Sequence, residues 1–362
     1  VEETAVVCLM SGNFVQRGQP AVFHKMVRAE AALIAGADLV LELPVQYAIR
    51  SAEGFAAGGV GILGQFCDEL CFGSETGDAE GLMNTARALL SPAFSPALRE
   101  YLDQGLSFPA ARQRALEQLG TDARLLSAPN DILGVEYCKA ILSSGTSMCP
   151  LVITRQGGYH DTLPDWENPS ATALRLCIYR NEDIAPYVPE GTTPLYANAE
   201  VHALEYGQRA MLAKLRSMTA EDFAALDEGR EGLCNRLYEA SRRAASVAEI
   251  LERSKTKRYA YSRLRRMLLW AYLDLKPADF PEEPAYIRPL AANAVGRQLL
   301  GMMRKTASVP VLTKPGDVRR LDRTAQKLFE LEARAADLYT LAYPDLSAAV
   351  GEAIWREGPV IL

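Results

Sequence analysis

Four short apolar runs constrain the fold of this chain most: TAVVCLM at 4–10, DLVLEL at 38–43, ELCF at 69–72 and LVIT at 151–154. Runs this short and continuously apolar predict strands buried on both faces. Helical patterns lie between and after them, at 25–35, 51–63, 78–90, 95–104, 108–119, 130–143 and 170–179. Gly36 stops the first helix and Pro44 closes the second strand. This alternation predicts an α/β domain built on a parallel sheet. Ligands of such sheets bind outside the carboxyl ends of the strands. The segments there are Ser11-Gly12-Asn13, Gly73-Ser74-Glu75 and Arg155-Gln156-Gly157-Gly158. Each is small or contains glycine, which lets the backbone approach a ligand closely.

The composition changes near Pro186. Residues 187–200, YVPEGTTPLYANAE, read as a linker. Beyond it the pattern is mostly helical, at 198–217, 219–227, 231–244, 246–254, 258–275, 293–305 and 320–340, with an extended piece at 309–313. The expected division is therefore an α/β domain over 1–188 and a mainly helical domain over 189–362. Two domains suit a chain of 362 residues.

No apolar run approaches the roughly 18 residues of a membrane span. The first ten residues carry Glu2 and Glu3 and no basic start, so they do not read as a secretory leader. The seven cysteines are odd in number and lie mostly in apolar stretches, as expected of reduced thiols in the cytoplasm. Cys67 and Cys71 read as core thiols rather than metal ligands. With three histidines in the whole chain, His24, His160 and His202, a multi-histidine metal centre is not expected. The first residue is Val rather than Met, so residues upstream of it are expected.

Charge is unevenly distributed. Between Arg242 and Arg266 there are nine basic and two acidic residues, a local balance of +7 in a chain of net charge −6, which leaves −13 for the rest. The acidic whole excludes blanket wrapping of nucleic acid, but a cationic block in an acidic protein is a directed field suited to a phosphate backbone. The plain alternative is a solvated helix face. From Lys255 to Arg266 there is no acid at all, so the i,i+4 pairs common on such faces are missing there. Glu249 and Arg253 could form one such pair just upstream. Tyr259 and Tyr261 lie in the block and could stack on bases. Tyr261 continues an apolar face with Leu264 and Leu268, which favours a core position for it. Arg258 and Arg265 share another face.

Ser170-Ala171-Thr172-Ala173-Leu174-Arg175 opens a helix. With Ser170 as N-cap, the first-turn amides form an anion site, Thr172 adds a hydroxyl and Arg175 a charge. The plain alternative is an ordinary cap with a surface arginine. Asn130 reads either as the N-cap of the helix that follows it or as a nucleotide contact. Arg155 ends a buried strand where a ligand could lie, or pairs with a nearby acid. His160 is a candidate at the edge of a site or a structural loop histidine. No P-loop occurs, no Ser-His-Asp or Cys-His order can be defended, and no glycine fingerprint connects a predicted strand to a helix. Hydrolase, P-loop kinase and dehydrogenase readings find little support.

Several segments resemble the tRNA(Met) cytidine acetate ligase family: MSGNFVQRGQPAVFHK at 10–25, ADLVLELPVQYAIRSAEGFA at 37–56, FGSETGD at 72–78, APNDILGVEYCKAIL at 128–142, GGYHD at 157–161, NPSATALR at 168–175 and SKTKRYAYSRLRRMLL at 254–269. They run in order over nearly the whole chain, and SGNFVQRGQPA is the most specific. SATALR resembles the ISSTxxR phosphate signature of nucleotidyltransferases. The resemblance implies a Rossmann-like nucleotidyltransferase domain followed by a helical tRNA-binding domain. It implies ATP as substrate, with Mg2+ as a candidate companion ion. Acetate would be activated as acetyl-adenylate, and the acetyl group passed to the exocyclic amine of the wobble cytidine in elongator tRNA(Met). ATP, acetate and that tRNA are the expected partners, with neither membrane nor DNA among them.

Carried over by position, Gly73, Asn130, Arg155 and Gln156 fall at the ATP site. Ser170, Thr172 and Arg175 fall on the phosphate signature. Lys255, Lys257, Arg258, Arg263, Arg265 and Arg266 would face tRNA. The family's H-x-G-H histidines have no counterpart in the sequence and would lie upstream of Val1. The chain as it stands is therefore expected to bind ATP poorly and to turn over little. Two other readings stay open: an adenylyltransferase of the same fold acting on a small molecule, and a non-catalytic RNA-binding paralogue. The cationic block separates the first of these from the ligase. The sequence upstream of Val1 separates the second.

Overall fold

In a computed structural model of the protein, the residues described are 4–155, 163–165, 169–226, 232–256, 259–276 and 282–362. The strands are β1 (Val7–Ser11), β2 (Phe14–Val15), β3 (Gln19–Pro20), β4 (Leu39–Leu43), β5 (Glu69–Ser74), β6 (Cys149–Thr154), β7 (Arg288–Ala292) and β8 (Val360–Ile361). The chain is mixed α/β, and the apolar runs of the sequence become β1, β4, β5 and β6.

Two compact units form, and neither ends at residue 188. The first joins Val1–Ser51 to His160–Leu362; the second is Ala52–Tyr159, inserted between them in sequence. The division expected at 188/189 fails for a physical reason. The Pro/Gly-rich stretch folds back on the N-terminal segment: the rings of Phe23 and Tyr196 stack at 4.9 Å, Thr192 is buried, and the His202 amide donates to the Val22 carbonyl at 2.8 Å. Phe14, Val45 and Ile49 also enter the main core of the helical part, beside Leu237, Leu264, Trp270 and Phe329.

In the first unit the sheet order is β1-β4-β7-β8. β1 and β4 are parallel, with Ser11 opposite Leu43, as the sequence predicts. β7 is antiparallel to β4 and parallel to β8, so this sheet is mixed rather than purely parallel. The sequence reading missed β7 because RPLAA carries a charge and a proline, both poor strand signals. The register shifts between Val40 and Leu41, opposite Pro289, and a bulge there tolerates a residue with no N–H to donate. β2 and β3 form a small hairpin from the SGNFVQRGQPA segment. Its Gly18 has φ +73°, and a Cβ there would come within 2.5 Å of the Arg266 backbone nitrogen. Only glycine allows both that turn and that approach.

In the second unit β5 and β6 pair in parallel, Gly73 opposite Ile153. The Pro129–Ser144 helix packs on them, with Gly134 seated against Phe72 and Leu82. Leu82, Ala86, Leu125, Val135 and Cys138 form its core. A literal G-x-G-x-x-G, Gly59 to Gly64, starts inside the Ala52–Leu63 helix and not at a strand-to-helix turn, so it is no dinucleotide loop. All seven cysteines are free; Cys71 is exposed on β5 rather than in the core. No described helix is long and apolar enough to cross a membrane.

Candidate nucleotide site and cationic helix

Three predicted residues meet in the second unit. β5 and β6 end side by side, and the Arg155 amide donates to the Ser74 carbonyl at 2.8 Å. The Arg155 side chain lies across Gly73, where a Cβ would stand 3.0 Å from its Cγ. Its Nη1 donates to Asn130 Oδ1 at 3.3 Å. Asn130 is not the N-cap. Ala128 holds that position, with Pro129 in the first turn.

What fixes Asn130 is Glu75, a residue the sequence reading placed at a strand end without giving it a role. Its Oε1 accepts from the Asn130 amide at 3.2 Å and from Asn130 Nδ2 at 2.7 Å, and its Oε2 from the Asp131 amide at 2.9 Å. A carboxylate thus sits on the positive end of the helix. With Nδ2 committed to Glu75, Oδ1 is the atom turned to Arg155. Asp131 is fully buried and its Oδ1 accepts from the Glu75 amide at 3.0 Å, the Thr76 amide at 3.3 Å and the Ser74 hydroxyl. These bonds hold the turn after β5 rigid.

The phosphate signature lies in the first unit. Ser170 is the N-cap of the Ala171–Tyr179 helix and accepts from the Ala173 amide at 3.0 Å, as predicted. Thr172 is half-buried in the first turn. Arg175, half-buried one turn on, has its affinity for a proton lowered first by burial and then by Arg17 of the β2–β3 hairpin. Arg17 thus lies close enough for its charge to be felt at Arg175.

Several charges of the cationic block are engaged within the protein. Arg242 donates to the carbonyls of Arg216 and Met218 and lies 4.7 Å from the Tyr238 ring, so it closes a helix end. Arg253 pairs with Glu249 at 2.6 Å, the one i,i+4 pair the sequence suggested. Lys255 is exposed, and Arg263, Arg265 and Arg266 are half-buried on the Tyr261–Leu273 helix. Arg266 Nη1 donates to the Gln16 carbonyl at 3.3 Å. Neither Lys255 nor Arg265 has a carboxylate partner among the described residues. The two tyrosines exchange the positions expected of them: Tyr259 is 4% exposed and Tyr261 42%. The helix starts at Tyr261, later than expected, and Tyr259 sits in a bridge with Thr256 that turns it inward. Gln156, His160, Lys257 and Arg258 lie outside the described residues.

The two described histidines stay neutral near pH 7. Burial is the first cause in each: His24 is pushed down to about 3, with Lys25 and Arg28 adding to the effect, and His202 to about 4. The sequence reading also missed a buried charge cluster beneath the ends of β1 and β4. Lys25 Nζ meets Glu42 Oε1 at 2.6 Å and Arg288 Nη1 meets Glu42 Oε2 at 3.3 Å. Glu332 accepts from the Val45 amide, and burial with Glu42 nearby pushes it up to about 7. A Cβ on Gly12 would meet Glu42 Oε1 at 2.5 Å. The acid inside the apolar run DLVLEL was the available signal, because a buried carboxylate needs a cation.

The mixed α/β fold, with its parallel pairs β1–β4 and β5–β6, is that of a nucleotidyltransferase. The family model for HIGH Nucleotidyl Transferase matches residues 1–352. A tRNA(Met) cytidine acetate ligase of Halothermothrix orenii is 35% identical, over 97% of this chain and 90% of its own length. One of Fervidobacterium nodosum is 36% identical, over 94% and 88%. The crystal structure of Thermotoga maritima TmcAL in its apo form superposes with TM-score 0.92 at 31% identity, covering 99% of this chain and 92% of that one. The same protein bound with alpha-thio ATP gives 0.90. The chain belongs to the HIGH nucleotidyl transferase family and, within it, to the tRNA(Met) cytidine acetate ligases.

Proposed function

We propose that this protein activates acetate with ATP and acetylates the exocyclic amine of the wobble cytidine of elongator tRNA(Met). An acetate oxygen attacks the α-phosphorus, the bond to pyrophosphate breaks, and acetyl-adenylate forms. The cytidine amine then attacks the acetyl carbonyl, loses a proton and expels AMP. A carboxylate is a poor acyl donor, and adenylation supplies the leaving group it lacks. The observation that carries this reading is the match along nearly the whole chain to an ATP-analogue-binding TmcAL at 31% identity.

Gly73, Asn130 and Arg155 contact the nucleotide, and Gln156 adjoins them. The first-turn amides of the Ala171–Tyr179 helix, Ser170, Thr172 and Arg175 take the phosphates and offset charge on the leaving pyrophosphate. Among the described residues no three His, Cys, Asp or Glu side chains gather to hold a metal ion; a Mg2+ ion, which binds largely through substrate phosphates and water, would come with the ATP. Lys255, Lys257, Arg258, Arg263, Arg265 and Arg266 face the tRNA. The charges of Lys255 and Arg265, which have no carboxylate partner among the described residues, favour a tRNA substrate over a small molecule, which needs no such surface. The cytoplasm, where tRNA and ATP meet, is the compartment this reaction requires.

The test is mass spectrometry of tRNA nucleosides after incubation of the protein, expressed from its complete reading frame, with ATP and labelled acetate. Label in acetylcytidine that depends on ATP supports the reading. ATP consumption without labelled cytidine overturns it.

A further inference from the structure

Tyr261 is out of place for a core residue. Leu264 and Leu268, three and seven positions on, are buried at 0% and 2% exposure, yet Tyr261 stands 42% exposed at the first position of the same helix. Its ring is flanked by two cations: Lys255 Nζ lies 5.1 Å and Arg265 Cζ 5.8 Å from the centroid. Lys255 is held by a 2.6 Å bond from Nζ to the Tyr259 carbonyl, and Arg265 projects one turn along from Tyr261. Among the described residues neither cation is neutralised by a carboxylate. A large apolar ring left in water beside two such charges has little to offer the fold. It matches a partner that presents a flat π-system and negative charge together, which is the chemistry of a nucleotide in a single-stranded or looped RNA.

We infer that Tyr261 is a stacking platform for an unpaired RNA base, with Lys255 and Arg265 receiving the phosphates beside it. This deepens the tRNA reading above and rests on it. As a base arrives, a cation over the ring moves to the phosphate that comes with it, and the ring face is handed to the base. An acidic peptide would use the two cations and leave the ring idle, so the ring is what separates the two partners.

The experiment is a filter-binding titration of an elongator tRNA(Met) transcript against the complete protein and the variants Y261A, Y261F, K255Q and R265Q, each at several salt concentrations. Thermal unfolding midpoints check that the fold is intact. Stacking contributes an amount that Ala substitution converts to a loss of about tenfold or more in Kd. Y261A should show that loss with an unchanged salt slope, because no phosphate contact is removed. Y261F, which keeps the ring, should bind like the parent. K255Q and R265Q should each weaken binding and flatten the slope by about one counterion. If Y261A binds normally while K255Q and R265Q weaken binding, the platform is refuted and the cationic surface survives. If none of the four changes affinity, the tRNA surface itself is misplaced. If Y261A and Y261F fall together, the hydroxyl matters rather than the ring, and stacking is again refuted.

Discussion

At the start of the Pro129–Ser144 helix, the amides of Asn130 and Asp131 are taken by the chain's own Glu75 carboxylate, at 3.2 and 2.9 Å. At the start of the Ala171–Tyr179 helix the side-chain cap is Ser170, on the Ala173 amide at 3.0 Å, and the amides of Ala171 and Thr172 have no partner among the described residues. In sequence the two starts look alike, each with a small polar residue before a helical pattern. One is a finished joint that aims Asn130 at Arg155. The other, among the described residues, leaves two amide donors without a partner, one turn before Arg175. A helix N-terminus signals a ligand only when nothing in the chain already fills it.

Variants can break that distinction, and the largest effect belongs to the open start. R175A removes a half-buried charge with no carboxylate partner among the described residues. In the complete protein, kcat/KM for ATP should fall about 100-fold, as expected when a charged hydrogen-bond partner of a phosphate is lost. A loss under threefold in steady-state kinetics would make the open start an ordinary cap. R155A, at the filled joint, should raise KM for ATP about tenfold with the fold unchanged, because Arg155 is exposed and its partner is a neutral amide. Unaltered ATP dependence would take Arg155 out of the site.

Much of this was legible in the sequence because it depends on local pattern. β4 follows from an apolar run closed by proline, and the Ser170 cap from a small hydroxyl residue before a helix. What was not legible is long-range. Glu75 reaches the helix start from 55 positions away in sequence, and no local rule connects ETG with PND. The unit boundary was hidden because residues 187–200 look like a linker, yet Tyr196 stacks on Phe23. β7 was hidden because its stability comes from lying between β4 and β8, not from its own residues. Tyr259 and Tyr261 were interchanged because moving the helix start by a few residues reverses which of them points inward.

The filled joint yields the next effect. E75A strips acceptors from the Asn130 amide, Asn130 Nδ2 and the Asp131 amide together. It should destabilise the protein by about 1–2 kcal/mol, the range for a lost helix cap, read as a lower denaturant midpoint. KM for ATP should also rise a few-fold while kcat holds, because Asn130 loses the contact that fixes its orientation. E75Q keeps an acceptor oxygen and should recover most of the stability. An E75A protein with wild-type KM would confine Glu75 to the fold.

The smallest effect tests whether the open start is also a structural cap. S170A removes the acceptor of the Ala173 amide and should cost about 1 kcal/mol of stability, a typical N-cap loss. ATP stabilises only the folded state, and a variant that has lost one of the groups assigned to the phosphates gains less from the same ATP concentration. The difference in midpoint between S170A and the parent should therefore be larger with ATP than without it. An equal difference in both conditions would mean that the triphosphate does not reach this helix, and the two helix starts would then differ only in which residue caps them.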